Sequence, residues 1–240
     1  MTGPSEDTRR RLALLQETDA VKQLLQRAVT SINQRGAVDV DAYVTLQLLS
    51  QGMERLLKLT VIFQYHRAHA KFPNSIKQYG HDVERLAATV LETAQADHEF
   101  ADKPAAQADI DFATANPTLR LLLHACATFG APAGRYHHLT TAAGQTTHAE
   151  NSPNNLWQDI EISARGADHA LLDRLASVDT DTHRAAVDDI NARITAIIQR
   201  YIRFLVRIWA WSPPGDAAKP FSTTLHSWLT LSDDALDRPC

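Results

Sequence analysis

The sequence predicts an all-α protein, a helical bundle, on three observations. Nearly every periodic stretch repeats its apolar residues at intervals of three and four, the spacing of one helix face. Asn116-Pro117 and Ser152-Pro153 each join a capping side chain to a proline suited to the first helical turn. No stretch alternates apolar and polar residues convincingly, and no hairpin dipeptide joins two candidate strands.

Taken in order, Leu15, Val21, Leu25, Ala28, Val29 and Ile32 line one face of a first helix, with Gly36 as its stop. Asp39 or Asp41 caps a second helix, whose stripe runs through Tyr43, Leu46, Leu49, Met53, Leu56 and Phe63. From Leu56 to Phe63 it is apolar nearly all round, which assigns it to the middle of a bundle. Pro73, Asn74 and Ser75 break the chain. A third helix starts near His81 and uses Val83, Leu86, Ala87, Val90 and Ala94. Residues Phe100 to Ala115 are rich in Ala and Asp, and their period is too weak for an assignment. A fourth helix follows Asn116-Pro117 through Leu121, Leu122, Ala125 and Cys126.

Gly130 to Asn151 shows no period and reads as a long loop, a kind of segment that often carries function. Ser152-Pro153 then opens a helix with Leu156, Trp157 and Ile160, and a short one follows from Leu171 to Ala176. Asp181 or Thr182 caps a long helix that uses Val187, Ile190, Ile194, Ile197, Tyr201, Phe204 and Ile208. Ser212-Pro213-Pro214-Gly215 ends it, and a last short helix carries Leu225, Trp228 and Leu229. One domain is expected, with a core over residues 12–140 and a C-terminal helical extension over residues 152–240.

Composition narrows the functional classes. With 240 residues, 44% of them hydrophobic and 22% charged, the chain lies outside the disordered range. Cys126 sits in an apolar stretch and Cys240 is the last residue, so a disulfide framework is not expected and a cytoplasmic location is. The N-terminal stretch lacks the apolar segment of a signal peptide. No apolar run approaches the about 20 residues of a membrane helix, so no membrane partner is expected. A net charge of -4 gives no global attraction to nucleic acid, and any such contact must rest on a local patch.

Three motifs carry a resemblance. Gln51-Gly52-Met53-Glu54-Arg55-Leu56-Leu57-Lys58 places Glu and Lys one helical turn apart, Gly80-His81-Asp82-Val83-Glu84-Arg85-Leu86 opens the next helix, and Gly134-Arg135-Tyr136 follows a later one. In this order the stretch Asp39 to Leu139 resembles the HEPN superfamily (higher eukaryotes and prokaryotes nucleotide-binding domain), whose members are helical bundles. The resemblance implies a homodimer that binds or acts on RNA or nucleotides. Its strongest form is a metal-independent ribonuclease of a bacterial stress or phage-defence system, with a protein partner such as an antitoxin and no cofactor. The alternative is a non-catalytic HEPN-like protein for dimerisation or interaction. Catalytic members carry an Arg followed by a His after four to six residues. Here Arg120–His124 and Arg165–His169 are closer, His137 and His138 follow Arg135 directly, and His148 is farther away.

The candidate residues follow. In the enzyme reading, Arg135 neutralises a phosphate and His137 or His138 moves a proton. The bland alternative has Arg135 capping helix carbonyls beside exposed histidines. Tyr136, His81, Asp82, Glu54 and Lys58 would bind or orient, although Asp82 at a helix start suits capping and His81 suits a bond to Glu54. Glu54 and Lys58 form an i,i+4 pair that suits a network holding the bundle together. Arg193, Arg200, Arg203 and Arg207 share a side of the long helix. They either track an RNA backbone, pair with acidic residues of another helix, or form a solvated face. His66 and His69 share a face without the third ligand of a catalytic zinc, so no metal is expected. Trp209, Trp211 and Trp228 with Phe221 read as core or interface.

Overall fold

Helices α1 (Glu6–Asn33) and α2 (Tyr43–His69) pack along most of their lengths. Ser31 meets Thr45, Glu17 meets Arg55, and Gly52 lies between these levels against Leu25, so the pair is antiparallel. The close approach needs the glycine: a Cβ on Gly52 would lie 2.7 Å from Leu25 Cδ2. This computed structural model describes residues 5–36, 42–213 and 216–236, so the expected caps Asp39 and Asp41, and the terminal Cys240, lie outside the described residues. α1 stops at Asn33, three residues before the expected Gly36, and Arg35 just beyond it is buried with its guanidinium 5.1 Å from the Trp157 ring.

α3 (Val83–Ala96) and α6 (Pro117–Gly130) pack on α2, which is buried almost all round its middle as its composition predicts. Gln64 Nε2 donates to the Val90 carbonyl at 3.3 Å, and Ser50 Oγ donates to the Cys126 carbonyl at 2.8 Å. The segments on either side of the Pro73 break therefore lie side by side. Asp82 caps α3 by accepting from the Arg85 amide at 3.0 Å, and Asn116 caps α6 by accepting from Leu119 at 2.8 Å.

Two stretches differ from expectation. Residues left unassigned around Phe100 to Ala115 form α4 (His98–Ala101) and α5 (Pro104–Ala115). The buried face of α5 is Ala106, Asp109 and Ile110; a carboxylate stands where a periodic apolar residue would have given the signal. The expected loop contains α7 (Pro132–Arg135), α8 (His137–Ala142) and a 3-10 turn over Ala149–Asn151. Helices this short span too few turns to display a period.

Beyond them lie α9 (Pro153–Arg165), α10 (His169–Leu175) and the 31-residue α11 (Thr180–Ala210). The cap of α11 is Asp179, ahead of both expected caps, Asp181 and Thr182, and its carboxylate accepts from the Thr182 amide at 2.9 Å. α12 (Lys219–Ser222), α13 (His226–Leu229) and α14 (Asp233–Leu236) are single turns near the end of the described chain. α11 packs against α1, α2, α5, α6 and α9, so one hydrophobic cluster runs from Val21 to Trp228. Trp209 is fully buried within it, donates from Nε1 to Thr60 Oγ1 at 3.0 Å and meets Phe63 edge-on at 5.2 Å. The architecture is an all-α bundle with no strand among the described residues, and no helix there is long and apolar enough to cross a membrane.

Candidate functional site

The pairing of α1 with α2, and the return of the chain through residues 70–81, leaves a cavity of about 690 Å³. Its polar side is built from three of the motifs. Glu54 and Lys58 stand one turn apart on α2, His81 arrives just ahead of the α3 cap, and Arg135 ends α7. Lys58 Nζ donates to Glu54 Oε1 at 2.7 Å, and His81 Nδ1 shares the same oxygen at 2.8 Å. The Glu54 and Lys58 side chains are only 15% and 16% exposed, whereas His81 is 78% exposed. Burial alone would raise the Glu54 pKa, but hydrogen bonds from Lys58 and His81, with their charges, outweigh it and hold the carboxyl below its ordinary value.

Glu54 is therefore a half-buried anion that fixes an exposed imidazole by one nitrogen. With Nδ1 held by Glu54, Nε2 is the ring nitrogen left outside that bond. Sequence reasoning named each of these residues and the His81–Glu54 bond. It missed Arg10, Arg55, Phe72 and Ile76, which also line the cavity. Arg10 belongs to α1 and reaches the cavity only through the α1–α2 pairing, which leaves no local signal.

Arg135 differs from the other cations of the lining. Arg10 pairs with Glu6 and Asp7, Arg55 with Glu17, and Lys58 with Glu54. Arg135 has no carboxylate partner among the described residues. Its Nη2 donates to the Gly130 carbonyl at 3.0 Å, and its buried Nε makes no hydrogen bond there. The carbonyl-capping alternative thus describes one edge of the guanidinium. Tyr43 supports the turn from α2 by donating its hydroxyl to the Arg135 carbonyl at 3.3 Å.

A second cavity, of about 580 Å³, lies on the α6 side and is lined by His81, Asp82, Thr128, Gly130 and Arg135 among others. His137 and His138 line neither cavity. His137 is buried with Nδ1 unpartnered among the described residues, His138 is exposed, and their rings meet edge-on at 5.4 Å. Tyr136 is 50% exposed. The structure therefore groups Arg135 with His81, Glu54 and Lys58, and does not bring His137 or His138 into that group.

The arginines of α11 take the paired alternative. Arg203 is 1% exposed and donates from Nη2 to Asp109 Oδ1 at 3.1 Å and to Asp233 Oδ1 at 2.6 Å. Arg207 Nη1 donates to Asp109 Oδ2 at 2.6 Å, Arg200 lies over the Phe112 ring at 4.4 Å, and Arg193 pairs with Asp168. Arg203 presents no surface to a strand, and the others face carboxylates or a ring across helix contacts. His66 and His69 lie against Phe72 and Tyr65 with ring centroids 4.4 and 4.1 Å apart. No group of three metal-binding side chains occurs among the described residues. Trp209 and Trp228 are core residues, and Cys126 is buried, with its thiol pushed up to about 12 by desolvation. No protein-family model matches the chain, and no curated protein or solved structure matches it either.

Proposed function

We propose that the chain binds RNA or a nucleotide in the α1–α2 cavity, with Arg135 holding a phosphate and His81 exchanging a proton with the bound ligand. The observation that carries this reading is the convergence of Arg135, His81, Glu54 and Lys58 from separate segments on one cavity of about 690 Å³. An arginine without a carboxylate suits a phosphate oxygen, to which its guanidinium can donate two parallel hydrogen bonds. Leu14, Leu59, Ile62, Pro73 and Ile76 supply an apolar wall of the kind a nucleoside ring is buried against.

In the enzyme form of the proposal, His81 Nε2 takes the proton of a ribose 2′-hydroxyl. The freed oxygen attacks the adjacent phosphorus, and the 5′-oxygen leaves with a proton from solvent. Glu54 stabilises the imidazolium that forms, and Arg135 neutralises charge on the phosphoryl oxygens. This assigns proton transfer to His81 rather than to His137 or His138.

The test is purified protein with end-labelled RNA in the presence of a metal chelator. The proposal expects binding that weakens about tenfold or more in Arg135→Ala, in line with the about 1.5–3 kcal/mol of a hydrogen bond to a charged group. It expects any cleavage to disappear in His81→Ala, with melting temperatures monitored alongside. RNA binding that is absent, or unchanged in Arg135→Ala, refutes it.

A second reading, a non-catalytic dimerising or interaction protein, is favoured by a different observation. Glu54, Lys58 and His81 already satisfy one another, and Arg135 holds the end of α6, so the same side chains serve as internal ties. Under that reading the RNA assay is flat and the variants change only stability or self-association.

A further inference from the structure

We infer that the two cavities are adjoining subsites for neighbouring nucleosides of one RNA strand, with the phosphodiester between them lying over His81 and Arg135. The inference rests on the nucleotide reading of the α1–α2 cavity and names the form of ligand that cavity takes.

His81 and Arg135 are the residues common to both linings, so they form the wall on which the cavities meet. The cavities are similar in size, about 690 and 580 Å³, and each is of the scale that accepts a nucleoside. A mononucleotide occupies one and leaves the other open.

The chemistry of the second cavity separates a strand from a terminal phosphate. Apart from the shared His81 and Arg135, its charged group is Asp82, whose Oδ1 is engaged in capping α3 while the carboxylate keeps further lone pairs. A carboxylate there repels a terminal phosphate and accepts from sugar hydroxyls. Ala127 and Ala131 give the cavity a modest apolar wall, and Thr128 adds a hydroxyl. In the first cavity, Glu54 spends one oxygen on Lys58 and His81, and the wall opposite is apolar. Two ring-accepting spaces that share Arg135, which has no carboxylate partner among the described residues, match a single anionic link between two neutral nucleosides.

The experiment compares adenylyl-3′,5′-adenosine with 3′-AMP and 5′-AMP by calorimetry or ligand-detected NMR. The dinucleotide carries a 2′-methoxy group on its first ribose so that cleavage does not intervene. The wild-type chain is expected to bind the dinucleotide about tenfold or more tightly than either mononucleotide. Ala131→Trp places an indole just past the end of α6, in the lining of the second cavity, and is expected to erase that gain. Thr128→Trp serves as an independent block should the first variant fold poorly. Equal affinity for the three ligands in the wild type, or a gain that survives both blocked variants, overturns the two-subsite inference alone. Absence of binding by all three removes the nucleotide reading itself, and this inference with it.

Discussion

Glu54 remains ionised in a half-buried position because Lys58 and His81 share its Oε1, and their hydrogen bonds outweigh desolvation. A carboxyl depressed in the folded chain contributes stability that is present above its ordinary value of 4.5 and lost as pH falls through the folded pKa. The stability gap between the wild type and Glu54→Gln is therefore expected to be constant near neutral pH and to shrink below pH 4.5. Urea titrations at a series of pH values read it, and a gap that widens on acidification contradicts the assignment. Cys126 poses the reverse case: burial without a charged partner pushes its thiol to about 12. Alkylation followed by mass spectrometry of the Cys126 peptide is expected to show no modification of the folded chain at neutral pH and rapid modification once urea unfolds it. At this scale the sequence was informative where partners lie one turn apart, as with Glu54 and Lys58. It also named His81 as a partner of Glu54, because a helix start with Gly-His-Asp faces the preceding helix across a short break. It could not separate Arg135 from the adjacent His137 and His138, since the turn from α7 into α8 sends neighbouring side chains in different directions.

Among the elements, α5 and α11 are joined by a cluster that the linear pattern conceals. Asp109 is fully buried on α5 and accepts from Arg203 and Arg207 of α11, and Arg203 continues to Asp233 on α14. The hydrogen bond from Arg203 holds the Asp233 carboxyl below its usual range. Removing the central carboxylate leaves Arg207 with no acidic partner among the described residues and the buried Arg203 with Asp233 alone, a loss of up to about 3–5 kcal/mol. Asp109→Asn is accordingly expected to lower the denaturation midpoint far more than Asp189→Asn. The latter breaks a more exposed pair with Arg174 and costs less than about 1 kcal/mol. Similar losses in the two variants contradict this account of how α5 is held. The cluster also explains why α5 escaped assignment: its buried face turns on an aspartate rather than a periodic apolar residue. The long helices α1, α2 and α11 were legible because each spans enough turns to repeat its stripe.

In the whole molecule, α11 threads its contacts from α1 to α13, so the residues of the candidate site stand on a common core rather than on a separate lobe. The bundle class was legible from periodicity and caps alone. The site was legible only in part, because its second wall is made by α1 and by the chain after Phe72, and neither carries a motif. What the fold adds is a shared location: the motif residues Glu54, Lys58, His81 and Arg135, separate in sequence, surround one cavity. The measurement that tests this most directly is the set of imidazole ¹H–¹⁵N resonances followed while a short RNA is added to the uniformly labelled chain. The account predicts that the His81 signals shift progressively to saturation and that this response is lost in Arg135→Ala, while His124, His169 and His226 stay where they are. Saturable RNA binding that leaves His81 unmoved would contradict it.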